Sequence, residues 1–159
     1  IIVLYLLRLR NRKIKIERMD RLAQLRQFIG KEFTASPSPF MKWLNPIVIS
    51  VEEGHLEFQY TVRPEWLNPM GNLHGGVTAA IFDDVIGATM FSLNEKTFIV
   101  TINNSIDYFS TAKENDNIVA ETKIIKRGKQ FVNAECEIWN ADKSRLIARG
   151  TSNLFKINN

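Results

Sequence analysis

Between His55 and Val62 the chain reads HLEFQYTV, with Leu56, Phe58, Tyr60 and Val62 at one set of alternate positions and Glu57, Gln59 and Thr61 at the other. A period of two belongs to a strand with one buried face. The apolar run from Ile47 to Val51 precedes it across EEGH, which predicts a hairpin. Four more strand-like runs follow later: TFIVTINNSIDYF, DNIVAETKII, QFVNAECEIW and RLIARGTSNLFKI. The third alternates most cleanly, with Val132, Ala134, Cys136 and Ile138 set against Asn133, Glu135 and Glu137. KEND, KRGK and NADKS separate these runs and carry turn chemistry.

Two segments follow the helical period instead. Leu22, Leu25, Phe28 and Ile29 predict an amphipathic helix between Met19 and Phe33. Pro37 and Pro39 in TASPSPF then interrupt it, and a loop is predicted as far as residue 44. From Gly75 to Leu93 there is no polar face of consequence, so the helix formed there must be buried on most sides. Two strands, a long apolar helix and four strands can bury that helix only if the sheet curls around it. The predicted class is α+β, an antiparallel sheet of about six strands wrapped around a central helix. Such a wrap leaves one face open, and a second copy is expected to close it.

Composition narrows the picture. At 159 residues, 45% hydrophobic and 24% charged, the chain has the make-up of one soluble domain. Residues 1–18 read as an extension, 19–44 as helix and loop, and 45–159 as the main body. The formal charge of +4 is concentrated at the start, where Arg8, Arg10, Arg12, Lys13, Lys15 and Arg18 face the single acid Glu17. The remainder carries 15 basic and 16 acidic residues out of totals of 21 and 17, so its charge argues for no nucleic-acid partner. The opening apolar run, Ile1 to Leu7, is too short to span a bilayer, and its charges follow it where a secretory signal would place them first. A translated leader before Met19 or an ordinary extension is the expected reading, with a functional basic arm as the alternative. The lone Cys136 forms no internal disulfide, which favours a reducing, cytoplasmic setting. His55, His74 and Cys136 have no metal-ligand spacing, and no metal site is expected.

The chemistry concentrates in NPMGNLHGGVTAAIFDD, residues 68–84. A loop rich in Gly and Asn that runs into an apolar helix leaves free N–H groups and the positive helix end at Gly75 and Gly76, a setting for an anion or for a carbonyl oxygen that becomes one. Asp83 and Asp84 are carboxylates in an otherwise apolar run, where an unpaired charge is costly. They point about 100° apart, so only one can address a given reacting atom. Apolar surroundings are expected to raise the pKa of Asp83 and make it a better base at neutral pH.

The stretch N-P-M-G-N-L-H-G-G followed by V-T-A-A-I-F-D resembles the signature of the PaaI-type branch of the hotdog-fold acyl-CoA thioesterases, N-x-x-G-x-x-H-G-G with an Asp nine residues past the His. The resemblance covers about residues 45–156 and implies a hotdog fold. It also implies hydrolysis of an acyl-CoA thioester, without a cofactor beyond the coenzyme A of the substrate, by a homodimer or homotetramer. By the same resemblance Asp83 is the general base or nucleophile, Gly75 the N–H donor to the thioester oxygen, and Asn68 the group that positions water or the acyl carbonyl. Asn68 and Gly75 would come from the subunit facing Asp83. Thr101 matches a position that bears a water-orienting hydroxyl in some relatives. Lys126, Arg127, Gly128 and Lys129 resemble the segment that meets the coenzyme A phosphates, a task suited to clustered cations.

Plainer readings stand beside these. His74 is expected to order the loop and Gly76 to let the substrate approach, His55 to be a surface residue, and Asp84 to be structural or solvated. Trp43, Trp66 and Phe82 could line an acyl pocket or belong to the core. A hotdog hydratase or dehydratase and a non-catalytic acyl-thioester binding module are the competing functions.

Overall fold

A computed structural model describes residues 20–95 and 97–157. The N-terminal extension, residues 1–18, lies outside the described residues. Helix α1 spans Arg21–Arg26, α2 Pro39–Leu44 and α3 Gly75–Ser92. The strands are β1 Ile47–Glu52, β2 His55–Thr61, β3 Phe98–Tyr108, β4 Asn117–Arg127, β5 Phe131–Asn140 and β6 Leu146–Ile157. They form one sheet in the order β1-β2-β4-β5-β6-β3, antiparallel throughout. Among the described residues no helix is long and apolar enough to cross a membrane.

The alternation read from the sequence sets the inner face. Leu56, Phe58 and Tyr60 of β2 lie beside Thr122, Ala120 and Ile118 of β4, and Val132, Ala134, Cys136 and Ile138 of β5 lie beside Leu154, Ser152, Gly150 and Ala148 of β6. All but Gly150 are buried. Against this face packs α3, which buries Ile81, Phe82, Val85 and Ile86 completely. Two polar groups in that contact, Thr89 of α3 and Thr122 of β4, hydrogen bond to each other. The outer face carries ion pairs such as Lys123–Glu135 and Arg149–Glu137, as a sheet wetted on one side should.

Gly150 shows how closely the layers meet. A Cβ there would lie 2.2 Å from the Ser105 carbonyl oxygen of β3 and 3.1 Å from the Phe82 ring. Only glycine lets β3, β6 and α3 approach at this point.

The region before β1 departs from expectation. The predicted helix from Met19 to Phe33 is regular only over Arg21–Arg26. The chain then turns so that Gly30 N–H can donate to Val48 O (2.8 Å) and Val48 N–H to Lys31 O (3.0 Å). The loop predicted to residue 44 contains α2. Pro39 sits at its first turn, where no intrahelical N–H bond is needed, and the Ser38 hydroxyl caps it by accepting from Met41 N–H at 3.2 Å.

Candidate active site

Asn68 organises the loop before α3. Its Oδ1 accepts from the N–H groups of Met70 (2.9 Å) and Asn72 (3.2 Å), while its own N–H donates to Asn72 O (2.7 Å). Gly71 closes the turn at φ +73°, a conformation glycine adopts without strain. With both lone pairs of Oδ1 engaged, the Asn68 amide NH2 is the part left to face a ligand. Buried Trp66 and Leu73 fasten the loop from below: His74 N–H donates to Trp66 O at 2.8 Å and Leu73 N–H to Ala112 O at 2.7 Å.

His74 is the N-cap of α3, its Nδ1 accepting from Gly76 N–H at 2.9 Å. The acceptor role of Nδ1 places the ring proton on Nε2. Gly76 therefore spends its N–H internally and offers a ligand only close approach. Gly75 is the first residue of the helix and is exposed, and its N–H makes no hydrogen bond among the described residues. Tyr108 of β3 holds this end, its hydroxyl donating to Gly75 O at 3.2 Å.

Asp83 lies on the exposed stripe of α3 with Gly76 and Gly87. Its Oδ1 accepts from Thr101 Oγ1 (3.1 Å) and from Asn104 Nδ2 (2.8 Å), both on β3. The two donors orient the carboxylate and leave Oδ2 open. Thr101 and Asn104 are three positions apart and in a regular strand would face opposite ways. A register shift between Thr101 and Asn103 turns them to the same side. Sequence reasoning reached Thr101 and missed Asn104, because simple alternation pairs Thr101 with Asn103 and Ser105.

The desolvation expected at Asp83 falls on Asp84. Burial first, and then the charge of Asp83, push the Asp84 carboxyl up to about 7. Its Oδ2 is buried without a hydrogen-bond partner, as is the Tyr60 hydroxyl. Asp84 lines a cavity of about 180 Å³ beneath the segment from α1 to α2, together with Leu25, Phe33, Met41, Gly87 and Ala88. Trp66 and Phe82 are core residues, and Trp43 stacks on Phe40 at the surface, packs tilted against Trp66 and shares the Arg63 guanidinium with it. None of the three aromatics lines that cavity.

Of the basic run at the end of β4, Arg127 is already engaged. Its guanidinium pairs with Glu95 at 2.6 Å and Glu53 at 2.8 Å and donates to Leu93 O at 3.2 Å. Lys126 and Lys129 are exposed, and Gly128 closes the turn with its N–H on Phe131 O at 2.8 Å. His55 is less solitary than its sequence neighbours imply: its Nε2 lies 2.9 Å from Glu121 Oε1. Glu57 joins them within ligand distance of a shared point, but Lys143 Nζ bridges Glu57 at 3.0 Å and Glu121 at 2.7 Å, so an ammonium already holds the cation's place.

The structure brings Asp83, Thr101 and Asn104 together and keeps Gly75 away from them. Gly75 and Asp83 are eight positions apart on α3, about 12 Å along the axis. Within one chain the Gly75 N–H and the Asp83 carboxylate do not reach a common atom.

Residues 70–147 match the model of the thioesterase superfamily. The chain is 28% identical to human acyl-coenzyme A thioesterase 13 over 103 residues, 65% of this chain and 74% of that one. Its fold is similar to that of the PaaI protein of the E. coli phenylacetic acid degradation operon, with a TM-score of 0.75 at 21% identity over 87% of this chain and 94% of that one. It is also similar to a hypothetical thioesterase of Streptococcus pneumoniae TIGR4 in complex with coenzyme A, with a TM-score of 0.67 at 24% identity over 72% of this chain and 87% of that one. The six-stranded antiparallel sheet around α3, the N-x-x-G-x-x-H-G-G loop and these matches agree: the fold is that of a hotdog protein, and residues 70–147 are similar to the thioesterase superfamily.

Proposed function

We propose that the protein hydrolyses acyl-CoA thioesters to a free carboxylic acid and coenzyme A, with Asp83 as the reacting carboxylate. The observation that carries this reading is Asp83 itself, an exposed carboxylate anchored at Oδ1 by Thr101 and Asn104 with Oδ2 open. As a general base, Oδ2 takes a proton from water as the water oxygen adds to the thioester carbon. The negative charge that develops on the carbonyl oxygen is met by the Gly75 N–H at the positive end of α3. Collapse of the adduct breaks the C–S bond, and the thiolate leaves with the proton. As a nucleophile, Oδ2 would form an anhydride that water then opens. In one turnover in 18O-water, an enzyme oxygen in the first product acid would establish the nucleophilic route with water opening the anhydride at the Asp83 carbonyl, since the general-base route puts only water oxygen there.

The 12 Å separation of Gly75 and Asp83 supports a site shared by two copies, each lending its loop to the other's carboxylate. Strand β3 favours such pairing. It is the last strand of the sheet, with an open edge, and Phe98, Ile102 and Tyr108 on it are exposed. Lys126 and Lys129 are the cations left to meet the coenzyme A phosphates, Arg127 being held in its ion pairs. The Asn68 amide donates to the acyl carbonyl, since its oxygen is already engaged. Buried Cys136 fits a reducing, cytoplasmic setting.

The hydratase reading needs a histidine free to move protons at the substrate, and the Nδ1 of His74 is fixed as the cap of Gly76. The test is thiol release from a panel of acyl-CoA esters by wild type and Asp83→Asn. The variant is expected to lose between about a hundredfold and ten-thousandfold in kcat. Undiminished turnover by Asp83→Asn would remove Asp83 from the chemistry, and tight acyl-CoA binding without thiol release from wild type would favour the binding module.

A further inference from the structure

The catalytic reading leaves Asp84 unused, and the fold holds it at a cost. A carboxyl whose Oδ2 is buried with no partner is a burden that stability alone would remove. Leu25, Phe33, Met41 and Ala88 wall a cavity of about 180 Å³ that Asp84 also lines. The Ser36 and Ser38 hydroxyls at its margin act as acceptors, Ser36 Oγ from the N–H of Ser38 at 3.1 Å and Ser38 Oγ from the N–H of Met41 at 3.2 Å, and neither donates to Asp84. The Tyr60 hydroxyl makes no hydrogen bond to Asp84.

The cavity also lies next to the reacting carboxylate. Gly87 is one helical turn beyond Asp83 on the same exposed stripe, and it lines the cavity as well. A Cβ built at Gly87 would meet nothing within 4 Å, so the backbone there is open. An acyl group whose carbonyl sits at Asp83 can pass over Gly87 and turn under α1 and α2. Cavities of about 150 Å³ hold a benzene-sized group, so the space here suits a compact six-carbon group with one small substituent.

We propose that this cavity is the acyl pocket and that Asp84 selects acyl groups carrying a hydrogen-bond donor, a hydroxyl or an amine, at the end distant from the thioester. The inference rests on the thioesterase reading. The carbons of such a group match the apolar walls, and its donor meets the Asp84 carboxyl where it lines the cavity. A site built around a buried acceptor discriminates strongly against the analogue that leaves the acceptor unpaired.

The experiment compares kcat/KM for 6-hydroxyhexanoyl-CoA and hexanoyl-CoA in wild type, Asp84→Leu and Asp84→Asn at pH 8. Wild type is expected to favour the hydroxylated ester by about tenfold or more. In Asp84→Leu, which keeps the volume and removes the acceptor, the preference should vanish or invert, and Asn, which keeps an acceptor oxygen, should retain part of it. A wild-type ratio near one, or a ratio unchanged in Asp84→Leu, would overturn the role of Asp84 while hydrolysis of hexanoyl-CoA upheld the thioesterase reading. Hydrolysis of neither ester, nor of any other in the acyl-CoA panel, would overturn both.

Discussion

At the scale of the residue, two adjacent carboxylates have been given opposite surroundings. Asp83 has water on one side and two donors on the other. Asp84 has apolar walls and an unpartnered oxygen. The second arrangement leaves a signature in stability. Unfolded, Asp84 loses its proton near its ordinary value of 3.8; folded, it keeps it to about 7. Between those limits the folded chain binds the extra proton, so stability falls as pH rises through the window. Because Asp84 is partly exposed, solvent screening reduces the effect to on the order of 1–2 kcal/mol. Asp84→Asn should therefore raise the urea midpoint at pH 8 and change it little at pH 4; an equal effect at both would contradict the burial of the charge. Asp83 makes a different prediction. Thr101→Val and Asn104→Leu should each lower kcat by about tenfold with little change in KM, since they orient the carboxylate without holding substrate. A loss confined to KM would place them in the binding surface instead.

The motif from Asn68 to Asp83 was legible in the sequence because spacing along a loop and a helix is local information. Asn104 was not, since its place beside Asp83 depends on a register shift that a strand's own residues do not announce. Nor did the sequence distinguish which of the two aspartates would be buried, as both sit in the same apolar run and differ only in which way the helix turns them.

At the scale of the element, the alternating strands and the apolar helix were legible because each has a period that burial imposes. The segment before β1 was not. Its apolar spacing continues past residue 26, but backbone bonds between Gly30 or Lys31 and Val48 draw the chain out of the helix. Conversely, Pro39 and Ser38 start α2 where prolines had been read as an end. These two short helices roof the cavity that Asp84 lines, so the least legible elements cover the proposed acyl pocket. Among the described glycines the least room is at Gly150, where Gly150→Ala drives a methyl group into the Ser105 carbonyl oxygen. The variant is expected to lose at least about 2 kcal/mol, read by chemical denaturation, and to lose activity as well because β3 carries Thr101 and Asn104. Full stability in that variant would mean that β3 and β6 do not approach as described.

At the scale of the whole molecule, the sheet accounts for the shape of one copy, and the proposed pairing of two copies rests on α3 and the edge of β3. The exposed stripe on α3 presents the Gly75 N–H at one end and Asp83 about 12 Å further on, a length that two antiparallel copies would bridge twice, once for each site. No local pattern encodes that pairing; it emerges only when the helix length is set against the reach of a single carbonyl group.

Complementation between two inactive variants tests this most directly. Asp83→Asn removes the proposed reacting carboxylate. Gly75→Pro removes only the N–H, because proline is accommodated at the first helical position and His74 already has the extended backbone that a following proline requires. Each variant alone should have little thioesterase activity. If one copy supplies Asp83 and the other Gly75, dissociating and reassociating an equal mixture leaves one intact site in each mixed dimer and restores roughly a quarter of wild-type activity. A mixture as inactive as its parents, with mixed dimers shown to have formed, would contradict the shared site.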